Sequence, residues 1–143
     1  MPFSLTNKVA LVTGSSRGLG RGIALALGKA GAKVCLNYLN NPESAQKTLQ
    51  DLRNGGIHAT MVRADASDTD QINSMVGAIE EKFGSLDILV PNATPDQPQK
   101  PIEEYDADFY RLMYDYFVMS PFKLAQAVLP GMKKRKKGRI INI

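Results

Sequence analysis

The chain has 143 residues, of which 43% are hydrophobic and 22% charged, and this length and composition predict one globular domain. No apolar run approaches the roughly 18 residues that a membrane span needs, and residues 1–10 lack the charged start and apolar stretch of a signal peptide. The single cysteine excludes an internal disulfide framework and fits a reducing compartment, so these features predict a cytoplasmic protein with no membrane partner.

Five short apolar or β-branched segments along the chain predict β-strands. They cover residues 8–13, 33–38, 57–65, 86–90 and 138–143. The fourth segment, LDILV, is apolar at nearly every position, and the fifth, GRIINI, follows a turn-forming glycine with β-branched residues. Both are therefore expected to be buried strands.

Helical patterns separate the strands. They cover residues 21–31, residues 42–53, a stretch that begins after Ser67 or Asp68, and residues 106–129. We expect Pro42 to open the second helix and Ser67 or Asp68 to cap the third. Pro121 should kink or break the fourth helix, because proline cannot donate an amide hydrogen bond.

Strands that alternate with helices require crossover connections and therefore a parallel sheet. Residues 1–143 are accordingly predicted to form a single doubly wound α/β domain, Rossmann-like, with five strands. In the strand order 3-2-1-4-5-6 of such domains the fifth strand is interior. A chain that ended at Ile143 would leave residues 138–143 as an uncovered apolar edge. We therefore expect the domain to be incomplete before a sixth strand, and the 143 residues alone to be poorly soluble or associated.

The sequence TGSSRGLG at residues 13–20, here called the glycine loop, lies between the first predicted strand and the first helix. Gly14 permits a tight turn, Gly18 removes the Cβ that would hold a pyrophosphate away from the backbone, and Gly20 lets helix and strand approach closely. Amides at the helix N-terminus would then meet the phosphate charge. No Gly-Lys-Ser/Thr follows, which excludes an NTPase phosphate-binding loop, so the segment predicts dinucleotide binding.

The pattern T-G-x-x-x-G-x-G in the glycine loop resembles the cofactor motif of the short-chain dehydrogenase/reductase family, especially its 3-oxoacyl-(acyl-carrier-protein) reductases. Further segments resemble the family in register: VRADASD at 62–68, LDILVPNAT at 86–94 and QAVLPGMKKRKKGRIINI at 126–143. The resemblance implies an oxidoreductase that interconverts a small-molecule carbonyl and an alcohol by hydride transfer. It also implies a homo-oligomer, dimer or tetramer, of the full-length protein.

The glycine loop and the ends of the second, third and fourth strands hold the residues expected to contact the cofactor. Among them, the resemblance assigns to Asp65 a hydrogen bond from the adenine amino group. The predicted cofactor-binding residues are Gly14, Ser15, Ser16, Arg17, Gly18, Leu19, Gly20, Asn37, Tyr38, Asp65, Ala66, Asn92 and Ala93.

Two features favour NADP(H) over NAD(H). An acid at the end of the second strand would bind the ribose 2′-hydroxyl of NAD and repel a 2′-phosphate. Residues 37–41, NYLNN, contain no acid, and none occurs before Glu43. Arg17 is placed to meet the 2′-phosphate, and the alternative is a merely solvated arginine.

No catalytic residue is predicted within residues 1–143. The family's general acid is a tyrosine with a lysine four positions later, and none of the five tyrosines has that lysine, so they are expected to serve in helix packing and loops. Phe117 occupies the position of the family's proton-relay asparagine. Pro91 and Thr94 replace an asparagine and a glycine of the nicotinamide loop. The family's catalytic serine and Tyr-x-x-x-Lys would follow Ile143, so the 143 residues are expected to be inactive alone.

A non-catalytic NADP(H)-binding sensor or interaction module is the alternative function, and it is favoured by Phe117 and the missing Tyr/Lys pair. Residues 132–139, MKKRKKGR, contain six basic and no acidic residues. A solvated connection explains this cluster better than a phosphate-binding patch, and no aromatic residue interleaves it, so no nucleic acid is predicted as partner. Cys35 is expected to be unreactive, and His58 has no partner at ligand spacing, so no metal is predicted.

Overall fold

The computed structural model describes residues 3–143 and contains a five-stranded sheet. Its strands are β1 (Val9–Val12), β2 (Lys33–Tyr38), β3 (Ala59–Arg63), β4 (Ile88–Val90) and β5 (Arg139–Ile140). They lie in the order β3-β2-β1-β4-β5, and every neighbouring pair is parallel. The predicted doubly wound fold class is confirmed, and β1, β3 and β4 are each shorter than the segments that predict them.

Five α-helices connect the strands. They are α1 (Gly18–Lys29), α2 (Pro42–Asn54), α3 (Thr69–Phe83), α4 (Ala107–Tyr114) and α5 (Ser120–Arg135). A 3₁₀ helix at Ile102–Glu104 precedes α4, and a π-helical segment, Asp115–Met119, joins α4 to α5. No helix among residues 3–143 is long and apolar enough to cross a membrane.

The helix starts follow the predicted capping chemistry. Pro42 lies in the first turn of α2, where its missing N–H leaves no bond unmade, and the Asn41 side chain accepts from the Ser44 amide over 3.0 Å. Asp68, rather than Ser67, caps α3 by accepting from the Gln71 amide over 2.8 Å. Both helices therefore begin where a side chain or a proline satisfies the first turn.

The sheet is covered on both faces, and β1 shows how its residues divide between them. Val9 and Leu11 pack with the helices α3 and α5, whereas Ala10 and Val12 pack with α1 and α2. This alternation follows from the two-residue period of a strand. The apolar stripe of α3 is buried on the first face and comprises Ile72, Met75, Val76 and Ile79.

The helix predicted over residues 106–129 is longer and more irregular in the structure. The π-helical segment ends directly before α5, which has Pro121 in its first turn, so the predicted interruption at Pro121 is confirmed. The predicted end is wrong, because α5 continues through Pro130 to Arg135. Val128 and Met132 are buried on either side of Pro130, and their packing holds the helix together despite the lost hydrogen bond.

The fifth strand is shorter than the buried strand predicted over residues 138–143, and its residues form the uncovered apolar edge that was also expected there. Only Arg139 and Ile140 belong to β5, and they pair with β4. Ile141 and Ile143 are 46% and 59% exposed. The difference arises because β5 lies at the edge of the sheet, where its second side has no neighbouring strand among the described residues.

Candidate functional site

A cleft of about 1110 Å³ opens at the carboxyl ends of the strands. The glycine loop forms one wall, residues 37–41 after β2 a second, and residues 92–97 after β4 a third. Strand order reverses between β1 and β4, and such a switch point is where doubly wound sheets bind ligands. All the predicted cofactor residues except Ser15 and Asp65 line this cleft.

The glycine loop has the conformation that its three glycines were expected to permit. Gly14 and Gly18 adopt φ values of +60° and +59°, a region that L-residues rarely occupy. A Cβ on Gly20 would lie 2.6 Å from the Gly14 carbonyl oxygen and 3.0 Å from the Ser15 Cα. A Cβ on Gly18 would meet no protein atom within 4 Å, so the space beside that backbone is open to a ligand.

Hydrogen bonds tie the glycine loop to the residues after β4. The Thr13 Oγ1 accepts from the backbone amides of Asn92 and Ala93 over 2.9 and 3.0 Å. The Asn92 side-chain amide donates to the carbonyl oxygens of Thr13 and Gly14 over 3.0 and 3.1 Å. Thr13 is only 1% exposed, and its bracing role was missed by sequence reasoning. The sequence feature that could have indicated this role is a polar residue directly after a buried strand, because a buried polar group needs a hydrogen-bond partner.

Ser15 and Asn37 support the glycine loop from behind. The Ser15 hydroxyl donates to the Val12 carbonyl over 2.7 Å and accepts from the Asn37 amide over 3.0 Å. The Asn37 Oδ1 accepts from the Gly14 amide, and its Nδ2 donates to the Ala64 carbonyl. Both residues are almost completely buried, so their side chains are committed to the protein. Cofactor contact by them stays a prediction.

The outer side of the loop presents Ser16, Arg17 and Leu19 to the cleft. Arg17 forms no ion pair within residues 3–143. Arg21, one turn further along α1, is instead paired with Asp51 over 2.8 Å. The guanidinium of Arg17, unlike that of Arg21, is therefore available to a ligand.

Asp65 lies between Ala64 and Ala66, which both line the cleft. Its Oδ1 accepts from the Ser67 amide over 2.8 Å, from the Ser67 hydroxyl over 2.7 Å and from the Tyr116 hydroxyl over 3.2 Å. Partial burial raises the pKa of Asp65, but these hydrogen bonds and the charge of Lys123 outweigh it and hold the pKa below its ordinary value. Asp65 is therefore a carboxylate at neutral pH, and its adenine contact stays a prediction.

Tyr116 is the cleft residue that sequence reasoning assigned to packing. It lines the cleft, and burial together with the negative charge of Asp65 raises its pKa above the ordinary value. The hydroxyl therefore keeps its proton at neutral pH and can donate a hydrogen bond to Asp65. No local sequence signal marked this contact, because the two residues lie 51 positions apart.

Part of the cleft lining is apolar. Leu112, Phe117 and Ile143 line it, and Phe117 is 47% exposed. Thr94 also lines the cleft and adopts a negative φ, so the loop after β4 does not use the left-handed conformation that a glycine there would allow. The side chains of Leu112, Phe117 and Ile143 offer hydrophobic contact to a ligand.

Two other residues considered at the outset lie outside the cleft. Cys35 is completely buried in β2, and burial raises the pKa of its thiol to about 12 although Lys82 lowers it, which agrees with the expected lack of reactivity. His58 packs edge-on against Phe83 with ring centroids 5.4 Å apart. In residues 3–143, no group of three His, Cys, Asp or Glu side chains is arranged to hold a metal.

Comparison with known proteins gives matches over nearly the whole chain. The family model described as short chain dehydrogenase matches residues 8–143. The chain is 35% identical over 138 residues to the 3-oxoacyl-(acyl-carrier-protein) reductase FabG of Staphylococcus aureus, covering 95% of this chain and 55% of that protein. It is 46% identical over 90 residues to a trihydroxynaphthalene reductase of Colletotrichum orbiculare, covering 63% of this chain and 32% of that protein.

The solved structures agree with these sequence matches. A metagenomic short-chain oxidoreductase, crystallised in complex with NADP, superimposes with a TM-score of 0.88 at 30% identity, covering 96% of this chain and 62% of that one. The chain spans 55% of the length of the bacterial reductase. The resemblance stated from the sequence motifs is confirmed.

Proposed function

The chain belongs to the short-chain dehydrogenase family, and from this premise we propose that it forms most of the cofactor site of an NADP(H)-dependent oxidoreductase. The proposed reaction interconverts a carbonyl and an alcohol. The bound cofactor supplies the hydride, whereas the protein binds and orients it. The observation that carries the proposal is the glycine loop, which lies at the switch point of the sheet with open space beside Gly18.

The residues around the cleft fit a dinucleotide. The first turn of α1 contains no acidic residue, so the partial positive charge of this helix end is not neutralised. Gly18 leaves the backbone accessible, and the amides that follow it are the groups proposed to bind the pyrophosphate. Thr13 and Asn92 hold the two loops of this site together.

We propose that NADP(H) is preferred to NAD(H). Arg17 lines the cleft without an ion-pair partner in residues 3–143, so its guanidinium is available to a 2′-phosphate. Asn40 and Asn41 also line the cleft, and the segment 37–41 offers no carboxylate that would select the 2′-hydroxyl.

We further propose that a longer protein supplies the proton-transferring residues. Resemblance to the family places its catalytic serine and Tyr-x-x-x-Lys after Ile143, and residues 1–143 would then bind cofactor without reducing a carbonyl. Sequencing the reading frame beyond codon 143 tests this directly. A serine soon after Ile143 followed by Tyr-x-x-x-Lys is expected, and an immediate stop codon would refute it.

A non-catalytic NADP(H) sensor is the second candidate, and Phe117 favours it. Its phenyl ring lines the cleft. The family resemblance assigns to Phe117 the position of the relay asparagine, and a phenyl ring cannot hydrogen-bond a relay water. Titration of the full-length protein with NADPH and NADH tests the cofactor assignment that both candidates share. Tighter binding of NADPH is expected, whereas no binding of either dinucleotide would overturn both functions.

A further inference from the structure

Two long-range hydrogen bonds join the helical arm of α4, the π-helical segment and α5 to the loop after β3. The Tyr116 hydroxyl donates to Asp65 Oδ1 over 3.2 Å, and the Lys123 Nζ donates to the Ser67 carbonyl over 2.7 Å. Phe117, next to Tyr116, lines the cleft at its apolar side. The same arm therefore contacts the loop after β3 and forms part of the lining of the cleft.

The hydrogen bonds of Asp65 are distributed unevenly between its two oxygens. Oδ1 accepts all three, two from Ser67 and one from Tyr116. No donor within residues 3–143 hydrogen-bonds to Oδ2, and Asp65 is only partly buried, between two residues that line the cleft. Because Ser67 belongs to the same short loop, its bonds alone would let the loop and carboxylate move together. The Tyr116 bond fixes the carboxylate to a separate element.

We propose that Tyr116 is a positioning residue of an adenine subsite, where it fixes Asp65 so that Oδ2 accepts a hydrogen bond from the exocyclic amino group of the base. This inference rests on the proposed function, because it takes the cleft as the dinucleotide site. Tyr116 acts through Asp65 and makes no required contact with the cofactor.

The π-helical segment orients the Tyr116 side chain toward Asp65. A π-helix turns through more residues than an α-helix, so side chains before and after it face differently than in one continuous α-helix. Tyr116 lies inside the segment Asp115–Met119, and Pro121 follows in the first turn of α5. Lys123, in the same first turn of α5, adds the second contact to the loop.

The substitution Tyr116→Phe removes the hydroxyl and keeps the ring. In the full-length protein we expect the Kd for NADPH to rise about 3- to 10-fold, the range for one lost hydrogen bond. Binding of reduced nicotinamide mononucleotide, which has no adenine, should not change. Tyr114→Phe is the matched control, because Tyr114 is 54% exposed on the same arm and is not among the residues that line the cleft; it should leave both affinities unchanged.

A double-mutant cycle with Asp65→Ala separates positioning from general support of the fold. Once Asp65 is removed, Tyr116→Phe should cause no further loss of NADPH affinity. Equal weakening of NADPH and the mononucleotide, or an additive loss in the Asp65→Ala background, would overturn the positioning role. If the wild-type protein binds no NADPH, the proposed function is wrong. The positioning role of Tyr116 then fails with it, before any variant is compared.

Discussion

Around the cleft, polar side chains divide into those that hold the protein together and those that are free to meet a ligand. The side chains of Thr13, Ser15 and Asn37 are buried and hydrogen-bond to neighbouring parts of the protein. Arg17 has no ion-pair partner in residues 3–143. The sequence motifs placed Ser15, Asn37 and Arg17 together in one cofactor site, because spacing indicates which residues are close but not which partner each side chain hydrogen-bonds.

Arg17 provides the residue-level test of cofactor preference. Arg17→Ala should weaken NADPH binding by on the order of 1–3 kcal/mol, through loss of a charge-assisted contact with the 2′-phosphate. NADH binding should be nearly unchanged. Arg21→Ala is the control, because Arg21 is paired with Asp51 and does not line the cleft. Fluorescence titration measures both cofactors, and equal losses for the two would contradict the assignment.

Asp65 gives a pH dependence with a definite sign. Its pKa is lowered in the folded protein, so its ionised form contributes stability that is complete above about pH 3.9, the unfolded value, and is lost as the pH falls toward the folded one. The groups facing it are Ser67, Tyr116 and Lys123. Asp65→Asn should therefore be less stable than wild type at neutral pH, and the difference should shrink below about pH 4.

Urea unfolding of the wild-type protein and of Asp65→Asn, from neutral pH to below about pH 4, measures this difference in the free energy of unfolding. The raised pKa of Tyr116 means that its hydroxyl keeps its proton throughout this range, so the change in stability does not come from Tyr116. A stability difference that stays constant from neutral to acidic pH would show that the carboxylate's charge is not stabilised by these neighbours.

At the level of elements, the glycine loop was the part of the site most open to prediction. A strand, three glycines and a helix restrict the backbone so strongly that the roles of Gly14, Gly18 and Gly20 follow from steric limits alone. The Tyr116 contact could not be foreseen, because it depends on a π-helical turn and on the packing of α5. The continuation of α5 through Pro130 was missed for the same reason, since tertiary packing overrode local propensity.

Gly20 and Gly22 form a matched pair for testing the loop. Gly20→Ala should destabilise the protein by about 1–3 kcal/mol, because the new Cβ meets backbone atoms that cannot move aside. Gly22→Ala should stabilise it by about 0.5–1 kcal/mol, because a Cβ there meets nothing within 4 Å and alanine favours the helix. Denaturant unfolding compares the two. Similar effects of both substitutions would mean that close approach at Gly20 is not required.

Over the whole molecule, strand order and the faces of the sheet were predictable because alternating strands and helices allow few topologies. The basic cluster at residues 132–139 also has a structural explanation. It surrounds the C-terminus of α5, where cations favour the negative end of the helix dipole, and Arg135 donates to the Leu86 carbonyl over 2.7 Å. The exposure of Ile141 and Ile143 agrees with the apolar edge expected at residues 138–143, whereas the two-residue length of β5 was not predicted.

Hydride transfer by the full-length protein is the measurement that tests the central claim most directly. NADPH carrying deuterium at nicotinamide C4 is incubated with the protein and a series of carbonyl compounds, and the alcohol products are examined by mass spectrometry. The proposed function predicts deuterium on the carbinol carbon, and residues 1–143 alone should produce none. Saturated NADPH binding without deuterium in any product would contradict an oxidoreductase and favour the sensor.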